Sequence, residues 1–67
     1  MTLAEARKTL GWSKTELAKR AKINKRTAFR AENGKTINGH SAQAIAETLS
    51  QALGRKVLPG DLGLNVL

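Results

Sequence analysis

Eight of the chain's twelve basic residues lie between Lys14 and Lys35, in the stretch KTELAKRAKINKRTAFRAENGK, where only Glu16 and Glu32 oppose them. Eight cations less two carboxylates leave that window with +6 of the formal net charge of +7. Inside it, positions 26, 29, 30 and 33 stand three or four apart, so Arg26, Phe29, Arg30 and Asn33 share one side of a helix with Lys25. An arginine fork matches O6 and N7 of guanine, and a lysine reaches the same atoms or a phosphate. Basic charge concentrated on a compact surface attracts a polyanion. Catalytic chemistry has no comparable grouping: no acid/base pair, no nucleophile beside a base, no phosphate-cradling loop. The chain has no cysteine, and its one histidine, His40, clusters with no second ligand type. Ser13 is accounted for by helix capping. The expectation is therefore a binding protein, not an enzyme, with no metal and no cofactor.

The whole chain bounds the reading further. Sixty-seven residues make one domain, 1–67, that buries only about 60% of its unfolded surface. No apolar run approaches the ~20 residues a membrane span needs, and MTLAEARKTLGW lacks the apolar core of a signal peptide. The missing cysteines fit a reducing, cytoplasmic setting. With one Phe, one Trp and no Tyr, the chain has no aromatic platform for stacking single-stranded bases. Ala, Leu, Lys, Arg and Glu dominate, which predicts an all-α fold.

The elements that must position the basic residues follow from the apolar spacing. Leu3, Ala6 and Leu10 predict a first helix, with Gly11 as its C-cap. Ser13 and Glu16 form a capping-box pattern that opens a second helix, whose inner stripe is Leu17, Ala18 and Ala21. Asn24 is a good N-cap for a third helix, ending near Gly34, with Ala28 and Ala31 buried. Lys35 to His40 reads as a polar loop. A fourth helix, about Ser41 to Leu53, buries Ala42, Ile45, Ala46, Leu49, Ala52 and Leu53, and Gly54 closes it. Pro59 suits the first position of a short fifth helix, with Leu62 and Leu64 inward and Asp61 near its positive end.

Two helices joined by a three- or four-residue turn suggest a helix-turn-helix. Trp12-Ser13-Lys14-Thr15-Glu16-Leu17-Ala18-Lys19, followed by Glu32-Asn33-Gly34-Lys35-Thr36, resembles the lambdoid phage repressor, Cro and Xre-type regulator family over roughly Leu3 to Leu64. The resemblance implies a compact five-helix bundle of the phage-repressor DNA-binding type with a central helix-turn-helix. It places Leu17, Ala21, Ile23, Ala28 and Ala31 at the motif's apolar positions and Ala18 at the helix crossing. It makes Lys14 a phosphate contact, Lys25, Arg26 and Thr27 the base-reading start of the recognition helix (about Lys25 to Asn33), and Arg30 a further groove-facing residue. It also makes Arg7 and Glu32 a pair tying the first helix to the end of the third. Three positions depart from the family pattern: Lys22 stands where the turn often has Gly, Ala28 and Ala31 are smaller than usual, and Phe29 replaces a polar residue. Small alanines let the recognition helix sit closer to the core, with Trp12 filling space.

The expected DNA contacts are Lys14, Lys25, Arg26, Thr27, Phe29, Arg30 and Lys35, set against a plainly solvated basic face. Phe29 has three readings: a cover over Ala28 and Ala31, a contact with a thymine methyl, or a contact with a protein partner. Lys19, Arg20 and Lys22 divide between phosphate contact and solubility. The implied function is sequence-specific double-stranded DNA binding through the major groove, as a transcriptional repressor or regulator. The alternative is a protein-interaction module such as an antitoxin or anti-repressor; an RNA-binding domain of the same fold is a third option. A homodimer is expected, because one recognition helix reads few base pairs. Val57, Leu58, Leu62, Leu64, Val66 and Leu67 offer apolar surface for it.

Overall fold

Every helix of the chain opens on a side-chain cap, as seen in a computed structural model that describes residues 1–67. Helix α1 (Leu3–Thr9) starts at Thr2, whose hydroxyl accepts from the Glu5 N–H while the Glu5 carboxylate accepts from the Thr2 N–H. This reciprocal pair satisfies donors that a first turn leaves free. The Thr2 backbone N–H, and then its side chain, hold the Glu5 carboxyl below its ordinary pKa. Helix α2 (Lys14–Ala21) starts at Ser13, whose Oγ accepts from the Glu16 N–H at 3.0 Å. Here the expected box is only half made, because the Glu16 carboxylate turns to Arg20 Nε at 2.7 Å. Helix α3 (Lys25–Glu32) starts at Asn24, whose Oδ1 accepts from the Arg26 N–H at 2.8 Å.

The C-terminal third departs from the five-helix expectation. The chain has four α-helices. After α3 come strand β1 (Thr36–Ile37), helix α4 (Gly39–Leu53), a 3-10 turn (Pro59–Leu62) and strand β2 (Asn65–Val66). Pro59 does start a turn, but Gly63 follows Leu62 in the left-handed conformation, φ +69°, and stops it after four residues. The stretch from Lys35 to His40 is not all loop. Asn38 Oδ1 accepts from the Ser41 N–H at 2.7 Å, which moves the start of α4 back to Gly39 and puts His40 in its first turn. Thr36 and Ile37 stay extended and pair in parallel with β2, Thr36 opposite Asn65 and Ile37 opposite Val66. The Asn65 amide adds a bond to the Gly34 carbonyl at 2.6 Å.

One cluster of 14 residues forms the core. α2 and α3 meet through Leu17, Ala18, Ala21, Ala28 and Ala31. α4 contributes Ala42, Ile45, Ala46 and Leu49, and α1 adds Leu3 and Ala6. Val57 and Leu62 are core residues, so they do not belong to the apolar surface expected of the C-terminus. Ala52 is exposed, against the expectation that it turns inward. Half of the 14 are alanines, which bring helix backbones close. Leu17, Ile45 and Leu49 supply the bulk between them.

One ion pair stands at the edge of this core. Arg7 Nε donates to Glu32 Oε2 at 2.7 Å and Nη2 donates to Oε1 at 3.1 Å. Its Nη1 reaches the Trp12 carbonyl at 2.9 Å. The two side chains are only 11% and 5% exposed. Arg7 therefore holds three things at once: α1, the α1–α2 connection and the end of α3. A fork of two parallel bonds is the strong form of such a pair. Arg7→Met or Glu32→Gln alone is expected to cost about 3 kcal/mol, because a nearly buried charge is left unpaired. The double variant should cost less than the sum of the two, read by urea unfolding as a double-mutant cycle. Near-zero, additive effects would contradict the role given to the pair.

Candidate nucleic-acid interface

The connection between α2 and α3 is three residues long: Lys22, Ile23 and Asn24. Lys22 adopts φ +57°, ψ +43°, the left-handed conformation usually left to glycine. Its N–H bonds back to the carbonyls of Ala18 and Lys19, and the Ile23 N–H bonds to the Ala18 carbonyl at 3.0 Å. This is the αL helix stop that turns the chain sharply. Ile23 packs against the core, and Asn24 then caps α3. Ala18, 3% exposed, sits in the inner stripe that meets α3. A larger side chain there would push the helices apart.

The result is a helix with two unlike sides. Ala28 and Ala31 are buried, while Lys25, Arg26, Phe29, Arg30 and Asn33 are exposed and Thr27 is half-buried. Lys14 is half-buried at the first position of α2. Lys35 is exposed just past Gly34, and its N–H closes on the Arg30 carbonyl at 2.9 Å. Arg30 Nη2 also donates to the Thr36 carbonyl at 3.2 Å, tying its guanidinium to β1.

Electrostatic pairing sharpens the contrast. The chain has two salt bridges, Arg7 with Glu32 and Arg20 with Glu16. Both acids of the Lys14–Lys35 window are thus engaged, one by a cation outside it. Lys14, Lys19, Lys22, Lys25, Arg26, Arg30 and Lys35 have no carboxylate partner. Seven unpaired cations on the two motif helices and the turns beside them make a positive surface.

The two aromatic residues end in different places. Trp12 packs against the core cluster from its edge. It is half-buried beside Arg20, Thr48, Gln51 and Ala52, with the Arg20 guanidinium 4.6 Å from its ring centre. Phe29 does not join the core that buries Ala28 and Ala31. It is 39% exposed, with Lys14 Nζ 4.9 Å from its ring centre. Spacing could not show this cross-helix contact, because it depends on how α2 and α3 cross.

A family profile described as helix-turn-helix matches residues 3–54. The chain belongs to the helix-turn-helix family of the Xre and lambda-repressor type. No curated protein and no solved structure matches it. The match covers α1 through α4 and the turn set by Lys22, and it makes the chain a DNA-binding helix-turn-helix domain of regulatory type. The 3-10 turn and β2 lie beyond the matched stretch. No helix is long and apolar enough to cross a membrane.

The strained turn gives a direct test of this geometry. A left-handed backbone costs an ordinary L-residue roughly 1–2 kcal/mol, and glycine gives back about 0.5–1 kcal/mol of that in lost chain entropy. Lys22→Gly is therefore expected to stabilise by about 0.5–1 kcal/mol in urea unfolding. Lys22→Ala keeps the strain and removes the charge. Equal gains from both variants would trace the effect to charge repulsion instead of the backbone.

Proposed function

We propose that α3 enters the major groove of double-stranded DNA and that the protein is a transcriptional repressor or regulator working as a homodimer. The observation that carries this reading is the exposed set Lys25, Arg26 and Arg30 on a helix whose other side is buried, with no carboxylate beside them. A B-form major groove, about 12 Å wide, admits one α-helix. The family membership supports DNA as the polyanion.

The roles divide along the surface. Arg26 and Arg30 are the base readers, with Lys25 and Thr27 beside them at the opening of α3. Arg30 spends one N–H on the Thr36 carbonyl. Four of the five donors of an arginine remain, and the tether fixes where they point. Lys14 and Lys35 stand at helix ends, where phosphate is the nearer target. The dimer places two such helices about 34 Å apart on a pseudo-palindrome. Leu58, Val66 and Leu67 are the exposed apolar residues of the C-terminal segment and are assigned to self-association.

The test is equilibrium binding to duplex DNA by fluorescence anisotropy across a salt series. A dimer neutralising roughly eight phosphates should give a log–log slope of about −7. A slope near zero would remove the DNA reading and favour a protein-interaction module. On a site selected from random duplexes, Arg26→Ala or Arg30→Ala should cost about 1–3 kcal/mol and relax preference at one base pair. Lys35→Ala should weaken selected and random duplexes alike, with the slope smaller by about one unit per site. Full discrimination retained by both arginine variants would reassign the arginines to phosphate. Saturation at one chain per duplex, on an asymmetric footprint, would contradict the dimer.

A further inference from the structure

We infer that Phe29 reads the 5-methyl group of a thymine, so that each half-site contains one T·A pair recognised through its methyl. This deepens the DNA reading proposed above and rests on it. Phe29 is the one large apolar side chain exposed on α3. It is 39% exposed and lies outside the buried cluster to which Ala28 and Ala31 belong.

Its surroundings select the occupant. Lys25 lies one turn before it and Arg26 three residues before it, and Arg30 follows it. Lys14 Nζ sits over one face of the ring, 4.9 Å from the centre. The ring stands among four cations, none of them paired with a carboxylate. An apolar protein surface would have to bury those charges. A duplex meets both requirements: phosphates and guanine edges for the cations, and a thymine methyl for the ring. That methyl is the apolar group the major groove displays. The exposed part of the ring is left for the base. The same contact holds the Lys14 ammonium beside the groove by attraction to the ring's negative face.

Thymine-to-uracil replacement removes one methyl and leaves every hydrogen-bonding group in place. Each thymine of a selected duplex is replaced in turn, and binding of the full chain is measured by fluorescence anisotropy. One position per half-site should weaken by about four-fold on replacement, the factor for one buried methyl. Phe29→Ala should bind the thymine and uracil duplexes equally there, and Phe29→Leu should keep part of the preference. A 5-methylcytosine at the same position should recover affinity relative to cytosine for the wild type alone. The ring lies outside the core, and a thermal melt of Phe29→Ala checks that the fold persists. If no position distinguishes thymine from uracil while salt-dependent binding stays intact, the inference is overturned and the DNA reading stands. Thymine preference unchanged in Phe29→Ala also overturns it. Loss of all salt-dependent duplex binding by the wild type removes both.

Discussion

The forked pair between Arg7 and Glu32 is the constraint on which the rest of the structure depends. A 67-residue chain without disulfides has little core to spend on holding its helices in register. Half of its core residues are alanines. They bring backbones close, but each fills little space. Arg7 supplies direction where apolar packing gives only attraction. Its three bonds join the end of α3, the carbonyl of Trp12 and α1 in one geometry. Because Glu32 is the last residue of α3, the pair sets how that helix leaves the body of the molecule. The opposite end of α3 is set by Lys22 and Asn24. Helix α3 is thus fixed at both ends by polar groups and along its length by Ala28 and Ala31.

The pair also has an electrostatic consequence. Glu32 lies within the most basic stretch of the chain, yet its charge is taken by Arg7 from α1. Glu16 is taken by Arg20 on its own helix. Seven cations of that stretch are left without carboxylate partners, all on α2 and α3 or the turns at their ends. Surface charges of one sign repel one another, which lowers the stability of the free protein and raises its attraction for a polyanion. One of the two acids that could neutralise the surface is thus used to tie α1 to α3, and the other pairs along its own helix.

Much of this was legible in the sequence. Ser13 and Asn24 marked two helix starts, Leu17, Ala18 and Ala21 marked an inner stripe, and the spacing of Arg26, Phe29, Arg30 and Asn33 marked an outer side. Arg7 and Glu32 were legible only through family resemblance, since the 25 residues between them hide the contact from local patterns. The resemblance marked Lys22 as a departure in the turn, but its left-handed backbone is visible only in the structure. The two strands and the last turn were not. Strands of two residues have no periodicity, and the pairing of Thr36–Ile37 with Asn65–Val66 is settled by tertiary contact. Pro59 promised a fifth helix, but a turn needs more than a good start, and Gly63 ended it. The Thr2–Glu5 box at the N-terminus has the spacing of a capping box. Phe29 stayed ambiguous because its neighbour Lys14 lies on another helix.

The measurement that bears most directly on the central claim is a map of backbone amide chemical shifts as duplex DNA is added to the isotopically labelled protein. The claim is that α3, with the start of α2 and the turn at Lys35, forms the bound surface. Shifts should concentrate at Ser13 to Thr15 and at Lys25 to Lys35, and should shrink as salt is raised. Gln43, Glu47 and Gln51, on the exposed side of α4, should stay still. Largest shifts on that side of α4, with α3 unmoved, would contradict the account.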